Sequence, residues 1–158
     1  MTEPGRGVPP PMGMALSTVG FVTLAIAGLG LASLALSAEV LATPGLGQLA
    51  GVGGMVLATA VFALTMWAAL RRVHPVYRAS LTATAGTLLA YLAGVWLGAV
   101  LGGADPARAA AGAGGFVTSW FALVLAAAAF VSSWSGIALV RTRAHRPRWP
   151  WERDADEP

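Results

Sequence analysis

The sequence predicts an all-α membrane protein: an antiparallel bundle of four transmembrane helices with both termini cytoplasmic. Two observations predict it. The first is the spacing of charge. No charged side chain lies between Arg6 and Glu39, from Val40 to Leu70, from Ala79 to Ala104, or from Ala109 to Val140. Each stretch exceeds the ~20 residues that a helix needs to cross about 30 Å of hydrocarbon. The second is the placement of arginine. With four spans, nine of the ten Arg residues fall on one side, and only Arg108 falls on the other, beside Asp105 and Glu39. Positive charge stays on the cytoplasmic side, which sets the orientation.

The elements run in order along the chain. Residues 1–12 carry Pro4, Pro9, Pro10, Pro11, Gly5 and Gly7 and read as a disordered arm. The transmembrane domain covers residues 13–141. Its first span is expected at about 14–36 and is followed by Glu39, Pro44 and Gly45, which mark a turn. The apolar run is too long for a signal-peptide core, so it is read as a span that is kept. The second span, about 49–70, stops at Arg71, Arg72, His74 and Pro75. The third, about 79–101, stops at Gly102, Gly103, Asp105 and Pro106. The fourth, about 116–140, stops at Arg141 and Arg143. Helix is the state that satisfies backbone groups within each segment in lipid. Short connections make successive helices antiparallel neighbours. Residues 142–158 form a cytoplasmic tail rich in Arg, Trp and Pro that ends in acids. The ends of the two hairpins, Ala69-Leu70-Arg71-Arg72 and Ala138-Leu139-Val140-Arg141, look alike, as any Ala/Leu-rich spans with Arg stops would.

Composition excludes more than it assigns. With 56% hydrophobic and 11% charged residues, little is left to build a soluble core. A net charge of +3 spread over short flanks points to anionic lipid headgroups and not to nucleic acid. The absence of Cys removes disulfides, Fe–S clusters and thiolate zinc, and no cofactor is expected. The spans hold no Asp, Glu, His, Lys or Arg, the groups on which proton-coupled transport and most acid–base catalysis depend. The chain is therefore not expected to be an enzyme. His74 and His145 are lone flank residues without convergent ligands.

Four local patterns remain. The third span carries small residues at every fourth position: Thr82, Gly86, Ala90, Gly94, Gly98 and Gly102. Residues four apart share one helix face, and a face without side chains lets two backbones approach. It serves either packing within the bundle, the use we expect, or a homo-oligomer seam. The fourth span repeats the pattern weakly with Ala128, Ser132 and Gly136. Hydroxyls cluster toward the arginine side, at Ser17, Thr18, Thr23, Thr65, Ser80, Thr84, Thr82, Thr87, Ser132, Ser133 and Ser135. A cytoplasm-facing cavity lined by Thr82, Thr87, Ser132 and Ser135 would suit a small carrier; bonds within and between helices need the same groups. Aromatics at Trp67, Tyr77 and Trp134, and at Trp96, Phe116 and Trp120, fall where the two interfacial belts should lie. Tyr91, near a span centre, is expected to make a core contact and donate to a neighbouring helix.

The tail is the most distinctive local sequence. Arg146, Arg148, Trp149, Trp151 and Arg153 alternate with Pro147 and Pro150, which favour extended structure. Indoles and guanidinium groups suit the headgroup layer, or equally a docking peptide for a membrane-protein partner. The four-span layout together with Arg146-Pro147-Arg148-Trp149-Pro150-Trp151-Glu152 resembles small uncharacterised four-helix integral membrane proteins of actinobacteria. The resemblance implies a bacterial plasma-membrane location and carries no activity with it. The sequence reading is thus a non-enzymatic accessory or scaffold component of an envelope complex, with a small uncoupled carrier as the alternative.

Overall fold

The computed structural model describes residues 8–41, 47–71 and 77–141. These form five helices: α1 (Pro10–Leu36), α2 (Gly47–Leu70), α3 (Arg78–Leu101), α4 (Pro106–Val117) and α5 (Trp120–Arg141). No strand occurs among the described residues. Four helices are long and apolar enough to cross a membrane: α1 with 27 residues, Leu49–Leu70 with 22, α3 with 24 and α5 with 22. At 1.5 Å rise per residue each covers the hydrocarbon thickness. The fold is that of a multi-pass membrane protein.

The long helices form an antiparallel ring in the order α1, α2, α3, α5. The most extensive contact joins α2 to α3 and the next joins α1 to α5; α3–α5 and α1–α2 contacts close the ring. Side-by-side residues fix the directions. Gly13, at the start of α1, meets Val140 of α5 and Leu70 of α2, and Gly28 meets Val124. Gly86 of α3 meets Val61 and Thr65, whereas Gly98 meets Leu49 and Ala50. The core on the axis holds Phe21, Phe62, Met66, Val95, Leu125 and Ile137, all fully buried. The Phe21 and Phe62 rings stack with centroids 4.6 Å apart and lock α1 to α2.

Helix ends obey local chemistry. Pro10 and Pro11 occupy the first turn of α1, where an N–H would lack an intrahelical acceptor anyway. At the other end the Ser37 and Ala38 N–H groups donate back to Leu34 and Ser33 carbonyls, and Ser37 takes φ 48°. α3 closes the same way. Gly103, at φ 89°, donates to Val100 and Ala104 donates to Ala99. This is the reversal that glycine makes with least strain.

α4 departs from the sequence expectation. Residues 102–115 read as a connection, and the fourth span as starting near Phe116. The chain instead builds a separate helix and breaks it at Thr118–Ser119 before α5 begins at Trp120. Asp105 is not only a stop: its carboxylate accepts from the Ala107 and Arg108 N–H groups, both at 3.0 Å, and caps the new helix. Such a cap is worth about 1 kcal/mol. Pro106 is the first helical residue. Ala109, Gly112 and Phe116 form the buried face, at helical spacing. The Trp96 indole N–H donates to the Pro106 carbonyl at 3.2 Å, and Tyr91 packs on Phe116 with centroids 4.6 Å apart. These contacts lay α4 against α3 at the Asp105 end of the bundle.

Candidate functional site

Three regions could carry function: the small-residue seams, the arginine end, and the opposite end where α4 sits. The glycine ridge of α3 lies against α2. A Cβ on Gly94 would press on the Gly53 carbonyl oxygen and lie 2.8 Å from Gly54 Cα; one on Gly98 would press on the Leu49 carbonyl. Backbone therefore touches backbone at both positions. Ala90 is buried, at 7% exposure, in the same ridge. Gly86 is looser, with Val61 and Thr65 side chains at 3.6 and 3.8 Å from an ideal Cβ. Gly102 meets its own helix's carbonyls at the C-terminus. The partner surface, Gly53 and Gly54 on α2, escaped sequence reading. A signal for it is present all the same: Ala50, Gly54 and Ala58, small and all buried, stand four residues apart on α2.

A second seam joins α1 to α5. Gly136 would place a Cβ 2.7 Å from Ser17 Cβ, and Gly20 one 3.8 Å from Ser132 Oγ. The weak small-residue pattern of the fourth span, Ala128, Ser132 and Gly136, is the buried face of α5. Its counterpart on α1, Gly13, Ser17 and Gly20, was the missed half.

The hydroxyls are turned mostly to their own helices. Thr87 donates to Ala83 at 2.7 Å, Thr84 to Ser80 at 2.8 Å, Thr65 to Val61 at 2.9 Å, Ser80 to Tyr77 at 2.6 Å and Ser133 to Phe130 at 3.0 Å. Such bonds let a polar side chain stand in an apolar bundle without a partner helix. The four residues expected to line a cavity do not share a face. Thr82 is exposed and donates to Ala79, Thr87 and Ser132 are buried, and Ser135 is half-buried. Two buried hydroxyl oxygens, Thr18 Oγ1 and Ser132 Oγ, have no hydrogen-bond partner among the described residues.

Arg71 follows the last residue of α2, Arg78 opens α3 and Arg141 closes α5, so all three mark one end of the bundle. Arg141 stands 4.7 Å over the Tyr77 ring, which stacks on Trp134 at 5.9 Å, and Arg71 stands 5.3 Å over Trp67. Cation–π contacts of this kind hold guanidinium groups at a rim while leaving them free to meet phosphate. At the opposite end Trp120 is 68% exposed and Trp96 38%, as belt residues are. Phe116, expected in that belt, is buried at 3% because α4 turns it onto Tyr91. There a half-open groove of about 400 Å³ lies between the end of α1 and the α4–α5 corner. Among the described residues no three His, Cys, Asp or Glu side chains converge as metal ligands would. Arg146, Arg148, Trp149, Trp151 and Arg153 lie outside the described residues, as does the arm before residue 8.

Comparison with known families matches residues 13–158 to a family of unknown function, DUF6121. The chain belongs to the DUF6121 family. The match takes in all but the first three residues of α1, the other four helices and the Arg/Trp tail. No curated protein and no solved structure matches the chain.

Proposed function

We propose that this DUF6121 protein is a non-enzymatic accessory or scaffold component of a bacterial envelope complex. In this reading it sits in the plasma membrane with the Arg71–Arg78–Arg141 end and both termini in the cytoplasm. The observation that carries the reading is the backbone-to-backbone closure of α3 on α2 at Gly94 and Gly98. Two helices joined this closely leave no lumen between them, and the hydroxyls nearby donate their protons to their own helix carbonyls. A carrier would need those groups turned inward along one continuous surface. The lipid-facing sides of α1, with Val19, Ile26, Leu31 and Leu34 each more than 60% exposed, offer area for a neighbouring membrane helix. The basic rim supports the orientation. The tail residues Arg146, Arg148, Trp149, Trp151 and Arg153 would lie along the cytoplasmic surface on anionic headgroups.

Native electrophoresis of membranes solubilised in mild detergent tests this. The chain at its natural abundance is expected to migrate in an assembly larger than the purified protein in the same detergent. Identical migration would contradict a scaffold role. Proteoliposomes holding the purified protein should show no solute flux above empty vesicles; saturable flux would favour the carrier.

A further inference from the structure

The groove at the α4 end brings together residues far apart in sequence. Leu36, Glu39 and Val40 come from the end of α1 and the segment after it; Phe116, Trp120 and Phe121 come from the α4–α5 corner. Its volume, about 400 Å³, falls in the range of about 300–1,000 Å³ typical of small-molecule sites. The lining is apolar and aromatic, with Glu39 its one ionisable group. Among the described residues Glu39 has no ion-pair partner. The Ser119 hydroxyl in the same wall is committed to the Phe116 carbonyl at 2.6 Å.

This chemistry selects a class of ligand. A lone carboxylate repels anions. It does not suffice for a hard metal ion, since calcium and magnesium require about six or more oxygen ligands. An organic ammonium group differs: it needs one counter-charge, is attracted to aromatic faces, and brings apolar substituents that match apolar walls. We propose that the groove binds an ammonium group carried on an apolar body, with Glu39 as counter-ion and Trp120 as the aromatic face. The position of the groove, beside the exposed indole of Trp120 at the bundle end, places it where a lipid ammonium headgroup or a soluble organic cation would both arrive. The proposal stands independently of the scaffold reading.

Titration calorimetry on the full chain in maltoside detergent tests it, with benzyltriethylammonium as the probe. Saturable one-to-one binding is expected. Glu39→Gln should weaken it by roughly tenfold, the loss of one charge-assisted contact. Gly115→Leu should abolish it while Glu39 remains. A Cβ at Gly115 meets nothing within 4 Å, so this variant fills the groove without disturbing the helix. Both variants should keep the wild-type thermal midpoint. Short-chain phosphatidylethanolamine, added against phosphatidylglycerol as a control, identifies the source. Displacement by the ethanolamine lipid alone assigns a lipid headgroup; displacement by neither assigns a soluble cation. Absence of saturable binding, or equal affinity in wild type and Glu39→Gln, overturns the proposal.

Discussion

Gly94→Ala adds one methyl group to the α3 ridge, and the structure says what it strikes. The new Cβ would press on the Gly53 carbonyl oxygen and lie 2.8 Å from both the Gly53 carbonyl carbon and Gly54 Cα. All three are backbone atoms of α2, so no side chain can swing aside. Relief requires α2 and α3 to separate by roughly 1 Å to restore ordinary contact distance. A gap of that size forfeits a quarter to a half of each dispersion contact, so roughly thirty close atom pairs at ~0.15 kcal/mol each lose about 1–2 kcal/mol. That falls within the ~1–3 kcal/mol usual for overpacking. Circular dichroism in detergent should show the melting midpoint fall by about 2–8 °C, taking roughly 2–4 °C per kcal/mol for a chain of this size. Gly86→Ala, on the same ridge, is the control. Its Cβ would sit 3.6 Å from Val61 and 3.8 Å from Thr65, ordinary contact, and should leave the midpoint unchanged or raised. Equal effects of the two variants would mean that backbone contact does not set the cost, because composition alone makes Gly86 and Gly94 equivalent.

Two further outcomes are expected. Ser37→Gly should raise the midpoint, because Ser37 ends α1 at φ 48°, a conformation that costs a side chain about 1 kcal/mol and glycine little; a lowered midpoint would mean that the hydroxyl matters more than the backbone. In proteoliposomes, a variant whose sole tryptophan is Trp151 should emit further to the blue with anionic lipid and shift red as salt rises, since Arg143, Arg146, Arg148 and Arg153 could each add about 1 kcal/mol of headgroup attraction; water-like emission in every lipid would favour docking on a protein instead.

The four spans were legible because lipid leaves one backbone solution and charge marks its ends. Arg71 and Arg141 end α2 and α5, Arg78 opens α3, and the described helices begin and end within a few residues of those marks. α4 was not legible for a physical reason. Apart from Arg108 and Phe116 its residues are small and apolar, three of its twelve are glycine, and glycine disfavours a helix by about 1 kcal/mol each. It forms because Asp105 caps it and Phe116 finds Tyr91, and only the first of these is local. Asp105-Pro106 is a start signal as well as a stop, and reading it both ways would have found the helix. The ridge of α3 was half legible. Its four-residue spacing named Gly94 and Gly98; the partner face carries the same mark more faintly, in Ala50, Gly54 and Ala58, where alanines take the place of two glycines. The groove could not have been found from the chain alone, because Glu39 and Trp120 line one groove only once α1 and α5 have paired.

Cysteine labelling decides whether the chain is a four-span bundle with its arginine end in the cytoplasm. The chain has no native cysteine to interfere. Ala38→Cys and Ala110→Cys, both exposed at the α4 end, should react in intact cells with a membrane-impermeant maleimide. Pro75→Cys and Thr142→Cys should react only after the membrane is opened. Labelling of Thr142→Cys in intact cells together with Ala110→Cys would exclude this topology, since residues 110 and 142 would then share one side and α5 would not cross.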